Sequence, residues 1–424
     1  MMDLSACRGR RIVVAMSGGV DSSVAAALLR QAGADVVGVH MRVHRMNSGE
    51  AGPGDRARGC CSPADAMDAR RVAEKLAMPF YALDFEEDFR RAVIDPFVED
   101  YLAGRTPNPC VRCNTHLKLG TLLAKARGFG AEAVATGHYA RLRRSDQGRV
   151  ELLRAADDRK DQSYYLFELR QSQLERFVLP LGELTKAETR AIARRLDLPV
   201  ADKPDSQEIC FIPDGDYRRF VDREARADAR DLQGEIVDTT GRVLGRHAGV
   251  HNFTIGQRRG LGLAALPAAA SAAQAGTRPL YVLDLIAGTR TVVVGEAEAT
   301  WAAGLRLRGL NWVSEPPTDR PLRVRARVRY HHEPAPATLY PTGLPAEPGA
   351  AQAGAAGEPD GSSIEFDAPQ RAITPGQAVV CYDEPTGERV IAGGWIVGPR
   401  HEERLDPAAA PGRADRAELA LGER

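Results

Sequence analysis

The sequence predicts an α/β chain: an N-terminal parallel sheet wrapped by helices over residues 1–215, a small β-rich unit over 216–295, a C-terminal β-barrel over 296–400 and a tail over 401–424. Three observations carry this. From Arg11 to about Val200, apolar runs of strand length alternate with helical periodicity, the pattern of a parallel sheet with crossover helices. Beyond about Asp214 the pattern changes to short strands punctuated by glycine, which belongs to small β domains. At 424 residues, 43% of them hydrophobic, the chain can bury more than one core.

The first-domain strands are read at Ile12 to Ala15, Val36 to Met41, Phe80 to Leu83 and Ala133 to Thr136. Helices are read at Ser22 to Ala32, Ser62 to Ala77, Glu87 to Gly104, Thr115 to Gly128 and Thr185 to Leu196. Their starts carry capping signals, Ser62-Pro63 before Asp65 and Thr185 before Glu188. The later strands come from GEIVDTTGRVLGRHAG, RPLYVLDLIAGTRTVVVGE, LRVRARVRYHH and QAVVCYDEPTGERVIAGGWIVG. Ala/Gly/Pro-rich tracts at Leu266 to Thr277 and Ala346 to Ser363 have little to bury and read as flexible insertions, and His401 to Arg424 as a disordered or loosely helical tail.

Bulk properties narrow the class. No apolar stretch approaches the roughly 18 residues that cross a bilayer, and the N-terminus lacks the order of a signal peptide, so a cytoplasmic protein without membrane contact is expected. Seven cysteines in a chain of this length point to redox, sulfur or metal chemistry rather than to disulfide staples. A formal net charge of 0 conceals separated basic and acidic runs and leaves a nucleic-acid partner open.

Ser17-Gly18-Gly19-Val20-Asp21-Ser22-Ser23 follows a strand and opens a helix. Paired glycines permit a tight turn, so that backbone N–H groups and the helix N-terminus face an anion, with the hydroxyls of Ser17, Ser22 and Ser23 as further donors. Asp21 is placed to hold magnesium or orient phosphates. No lysine follows the glycines as GxxxxGK[ST] requires, so cleavage between the α and β phosphates of ATP is expected. A bare Ser-Gly-Gly would be only a turn; the whole run, between strand and helix, resembles the pyrophosphatase-loop family of ATP-dependent adenylating enzymes. That resemblance implies AMP and pyrophosphate as products.

Thr106-Pro107-Asn108-Pro109-Cys110-Val111-Arg112-Cys113-Asn114 precedes the helix read from Thr115. A Cys113 ahead of a helix and beside Arg112 has its thiolate favoured by dipole and cation. Asp205-Ser206-Gln207-Glu208-Ile209-Cys210-Phe211-Ile212 sets a second thiol among apolar neighbours, and two distant thiols that meet can exchange sulfur. With these, Ala135-Thr136-Gly137-His138-Tyr139-Ala140, Lys160-Asp161-Gln162-Ser163-Tyr164-Tyr165-Leu166, HNFTIGQRRGLG and Pro375-Gly376-Gln377-Ala378-Val379 resemble the tRNA-specific 2-thiouridylase family. The motifs span roughly residues 11–398 in family order.

The resemblance implies ATP along Ala15, Met16, Ser17, Gly18, Gly19, Val20, Asp21 and Ser22, with Met41 and Gly137 near the adenosine. It implies Cys113 as nucleophile and Cys210 as the carrier of incoming sulfur as a persulfide. Asn108, Pro109 and Cys110 correspond to the segment facing the target base, and His138, Lys160, Asp161, Gln162, Arg329, Tyr330 and Gln377 to tRNA contacts. The substrate implied is the wobble uridine of a tRNA anticodon loop, and the sulfur donor a cysteine desulfurase or relay protein.

Part of the family carries an Asp where Cys110 stands. Two routes stay open: transfer from a persulfide, or a four-iron, four-sulfur cluster on Cys110, Cys113 and Cys210 with one iron open. Magnesium is expected with ATP. Arg323, Arg325, Arg327 and Arg329 alternate along one strand and read as a basic ridge for the tRNA backbone. Cys60-Cys61 reads as a helix-entry loop, and Cys7 and Cys381 as incidental. The rival reading is another adenylating ligase acting on a small molecule, which leaves both cysteine motifs idle.

Overall fold

The computed structural model describes residues 4–43, 63–205, 209–212, 214–225, 232–263, 279–341 and 361–400. Cys60-Cys61, Ser206 to Glu208, the tail and nearly all of both Ala/Gly-rich tracts lie outside the described residues.

The N-terminal strands are β1 (Arg11–Ala15), β2 (Asp35–Arg42), β3 (Phe80–Asp84), β4 (Ala133–Ala135), the hairpin β5 (Arg141–Arg144) and β6 (Val150–Leu153), and β7 (Phe177–Val178). Five form a parallel sheet in the order β3-β2-β1-β4-β7. Side chains alternate across it. Val13, Val37 and Val134 join a core with Phe85, Phe97 and Leu122; Ile12, Val14 and Val36 join another with Val24 and Leu29 of α1 (Val20–Gln31) and Val72 of α2 (Pro63–Lys75). Hence these strands read as continuous apolar runs. β7, two residues long, has no such run. From β1 the chain moves outward to β2 and β3, then returns to β1's other side as β4. The order reverses between β1 and β4, and in open parallel sheets ligands bind beyond the carboxyl ends of the strands at such a point.

The second unit is a sheet of β8 (Gly234–Val237), β9 (Val243–His247), β10 (Tyr281–Ile286) and β11 (Thr291–Gly295), ordered β10-β11-β8-β9. The third is a closed antiparallel barrel of β12 (Trp301–Trp312), β13 (Leu322–Arg327), β14 (Ala335–Tyr340), β15 (Ser363–Arg371), β16 (Ala378–Asp383) and β17 (Val390–Arg400), ordered β12-β15-β14-β13-β16-β17. Leu305, Val324, Ile364 and Cys381 fill it. Burial pushes the Cys381 thiol up to about 12, in keeping with an inert packing role.

The barrel shares a core with the first domain: Tyr382, Val390 and Trp395 pack in one cluster with Tyr164 and Phe167. Asn311 Nδ2 donates to the carbonyls of Phe167 (2.7 Å) and Leu169 (3.1 Å), and Trp395 Nε1 to Glu168 Oε1 (3.0 Å).

The same interface corrects the basic ridge. Arg327 is buried and donates to Asp161 (3.3 Å), whose side chain has no exposed surface and also accepts from the backbone of Ala155 and Ser163 (both 3.1 Å). Arg323 is paired with Asp367 at 2.7 Å, and Arg329 donates to the carbonyls of Arg371 and Ala372. Strand alternation dictates which side chains share a face, while the partner lying against that face decides whether their charge is displayed. Asp161 is accordingly a joint between domains.

Removing one partner of a buried pair strands the other's charge. Asp161→Asn should lower stability by about 3–5 kcal/mol, read as a fall in the urea midpoint; an unchanged midpoint would mean the pair bears no structural load.

Candidate functional site

β1 ends at Ala15 and α1 starts at Val20, so Met16 to Gly19 must turn the chain. Gly18 makes that turn at φ +75°, and a Cβ there would fall 2.2 Å from the carbonyl oxygen of Asp65, so only glycine fits. Gly19 is different. It caps α1 in an extended conformation at φ −96°, and an added Cβ meets Ser17 Oγ only at 3.5 Å.

The serines shape this turn. Ser17 N–H donates to Ser22 Oγ (3.2 Å), while Ser22 Oγ and Ser23 Oγ donate to the Gly19 carbonyl (3.3 and 2.8 Å). These hydroxyls serve the loop, and the N–H groups of α1's first turn, which have no partner within a helix, remain the donors for an anion. Gly137, just after β4, lies on that turn: a Cβ there would be 2.6 Å from the Ser22 nitrogen. Met41 ends β2. The whole set from Ala15 to Ser22, with Met41 and Gly137, therefore lines the carboxyl edge of three adjacent strands.

Asp21 is already engaged. Lys186 Nζ donates to both its oxygens (2.7 and 2.8 Å) and Tyr139 Oη to one (2.8 Å). The same Lys186 lies 2.9 Å from Asp205, which also binds Lys160 (2.8 Å) and Arg190 (2.7 Å). Burial raises the Asp205 carboxyl, but hydrogen bonds and charge from Lys160 and Lys186 outweigh it and bring it to about 2. Lys203 Nζ ties the Gly18 carbonyl (3.0 Å) to Asp65 (2.6 Å) and Asp68 (2.7 Å) of α2.

The segment around Cys113 differs from expectation. Helix begins at Pro109 rather than Thr115, because proline at the first helical position needs no N–H partner. Cys113 therefore stands beyond the first turn, where it opens a wide-wound stretch, Cys113–Thr121, and the dipole argument passes to Cys110. Cys110 is exposed; Cys113 and Cys210 are half-buried thiols. The latter two, with Ile209, Tyr165 and Tyr330, pack against a single apolar cluster although the chain separates them widely. The rings of Tyr165 and Tyr330 are 4.6 Å apart. Among the described residues no group of three or more His, Cys, Asp or Glu side chains is arranged to hold a metal.

The remaining predicted contacts brace these segments. Gln377 Nε2 donates to the carbonyls of Thr106 (3.0 Å) and Pro107 (3.2 Å), holding the entry to Asn108-Pro109-Cys110 from the barrel. Gln162 Oε1 accepts from the Tyr139 N–H (3.0 Å), and Lys160 pairs with Asp205. His138 Nδ1 lies 2.6 Å from Thr136 Oγ1, and burial, then the Lys118 ammonium, hold its imidazole well below the usual range. Lys186, Lys203 and Tyr139 were invisible as site residues: each looks like an ordinary helix or loop residue, and its partner is distant in the chain.

Residues 10–214 match the family described as tRNA methyl transferase HUP domain, 220–296 the tRNA methyl transferase PRC-barrel domain and 302–396 the Aminomethyltransferase beta-barrel domain. The tRNA-specific 2-thiouridylase MnmA of Koribacter versatilis is 47% identical over 400 residues, 92% of this chain and 99% of that protein. Those of Geobacter metallireducens and Acidobacterium capsulatum are each 47% identical over 91% of this chain, covering 96% and 98% of their own lengths. Among the described residues no helix is long and apolar enough to cross a membrane.

Two outcomes follow from the geometry. Gly18→Ala should weaken ATP binding at least about tenfold by calorimetry, whereas Gly19→Ala should not; equal effects would remove the steric argument. Asp205 has a depressed folded-state pKa, so its contribution to stability is full above the ordinary 3.8 and is lost as pH falls through about 2. Lys186→Met should flatten acid destabilisation across that window, measured as melting temperature against pH.

Proposed function

The chain belongs to the tRNA-specific 2-thiouridylase family, and from that membership we propose that it adenylates the C2 oxygen of the anticodon wobble uridine and replaces it with sulfur. The observation that supports this best is the bridge Asp21–Lys186–Asp205, which ties the helix N-terminus suited to ATP to the segment leading into Cys210. A small-molecule ligase would use the first half of that arrangement and leave Cys113 and Cys210 without a task.

ATP is required because the C2 oxygen is a poor leaving group. The first-turn N–H groups of α1 offset charge on the phosphates, and Gly137 lets the β4 loop approach them. Magnesium, carried with ATP, supplies further charge neutralisation and needs few protein ligands. The uridine is drawn from the anticodon loop toward Cys110 and the Tyr165–Tyr330 pair, where aromatic faces and backbone groups read it.

Sulfur arrives on Cys210 as a persulfide from a desulfurase or relay protein. Its terminal sulfur bonds C2 as the C2–O bond breaks and AMP leaves with the electron pair. Cys113 thiolate then attacks the Cys210 sulfur, releasing 2-thiouridine and leaving a Cys113–Cys210 disulfide for a thiol reductant to clear. The half-buried apolar setting of both thiols suits an exchange shielded from water.

The test is nucleoside mass spectrometry on unmodified tRNA incubated with the protein, ATP, magnesium and a persulfide donor. Wild type should form 2-thiouridine, and Cys113→Ser and Cys210→Ser should each lose at least about 100-fold. Product from the Cys210→Ser protein at the wild-type rate would defeat the persulfide route.

A further inference from the structure

Lys118 has no part in the mechanism above, yet it lies between the two halves of the site. Cys113–Thr121 is wound with i→i+5 bonding, which turns roughly 80° per residue instead of about 100° in an α-helix. A residue five positions on would stand about 140° round an α-helix from Cys113, but only about 40° round this one. The widening that starts at Cys113 therefore brings Lys118 onto the face of Cys113 and Asn114.

The contacts agree. Lys118 Nζ donates to Asn114 Oδ1 (2.9 Å) and lies 3.5 Å from His138 Nε2, while buried Asn114 donates to the Tyr165 carbonyl (3.1 Å). An ammonium only donates, so Nε2 is the accepting nitrogen and the proton sits on Nδ1, toward Thr136 Oγ1. His138 is thus neutral and offers Lys118 no counter-charge. Lys118 is half-buried, and the two polar side chains it meets, Asn114 and His138, are both neutral. Such a cation is costly without an anion. One residue before His138, Gly137 rests on the first turn of α1, against the phosphate cradle.

We propose that Lys118 is the cation for the α-phosphate of ATP as it passes to the uridine oxygen and departs as AMP. This rests on the thiolation reading. In the first step the C2 oxygen bonds the α-phosphorus, the bond to the bridging β-phosphate oxygen breaks, pyrophosphate leaves with the electron pair and N3 gives its proton to solvent. In the second, sulfur bonds C2 and AMP leaves with the C2–O pair. Both steps gather negative charge on the oxygens of one phosphorus. The α1 N–H groups meet it from one side of Gly137, and Lys118 from the other.

The experiment is tRNA-dependent pyrophosphate release and 2-thiouridine formation by the full chain, as wild type, Lys118→Met and Lys118→Arg, with ATP and with each diastereomer of ATPαS. Lys118→Met should lose about 100-fold in kcat with KM for ATP within about threefold, and Lys118→Arg should recover most of it. The rate ratio between the diastereomers should fall toward one in Lys118→Met, a change that looser packing alone does not cause. Lys118→Gln replaces the methionine variant should its melting temperature collapse. An unchanged kcat, an unchanged diastereomer ratio, or a loss confined to KM overturns the proposal while leaving the reaction intact. A wild-type protein without tRNA-dependent pyrophosphate release overturns the thiolation reading and this proposal with it.

Discussion

One ammonium, that of Lys186, lies between the carboxylates of Asp21 and Asp205, and the two ends of the site depend on it. Asp21 belongs to the first turn of the helix that would receive phosphates; Asp205 opens the segment that leads to Cys210. Two carboxylates this close would repel, and a half-buried cation alone would be unstable, but together with Lys160 and Arg190 they form a set whose members satisfy one another. The bridge fixes the segment that leads to Cys210 against the turn between β1 and α1 without a covalent link.

The barrel completes this arrangement from the other side. Gln377 occupies the carbonyls of Thr106 and Pro107, the Thr106 N–H donates to the Pro375 carbonyl at 2.8 Å, and Gly376 runs at φ +87° where a Cβ would come 2.9 Å from the Thr106 oxygen. That backbone leads directly into Asn108-Pro109-Cys110. Asp161 and Arg327 lock the same interface deeper in. A domain that reads at first as an RNA-facing appendage is thus part of the scaffold of the Asn108-Pro109-Cys110 segment, and the charge of its Arg327 is spent on Asp161.

Much of the molecule was legible in advance because its signals are local. Hydrophobic runs marked β1 to β4, a capping box marked the helix at Lys186–Arg195, and Ser17 to Ser23 marked a tight strand-to-helix turn by glycine and serine alone. Errors arose where a local pattern was asked for tertiary content. The alternating arginines of β13 do share a face at Arg323 and Arg325, but Arg327 turns into Asp161. Helical periodicity is clearest after Thr115 and sets Cys113 ahead of a helix, whereas Pro109 already starts the turn.

Neighbouring residues were enough to mark the elements, the Gly/Ser turn after β1 and the two cysteine segments, since each depends on local conformational preference and chemistry. That Gly18 admits no Cβ while Gly19 does, that Lys186 bridges Asp21 and Asp205, and that Cys113 and Cys210 pack against one apolar cluster emerge from the folded arrangement alone. Those outcomes rest on contacts between residues far apart in the chain, and the energy of such a contact comes from burial and charge pairing that no single segment contains.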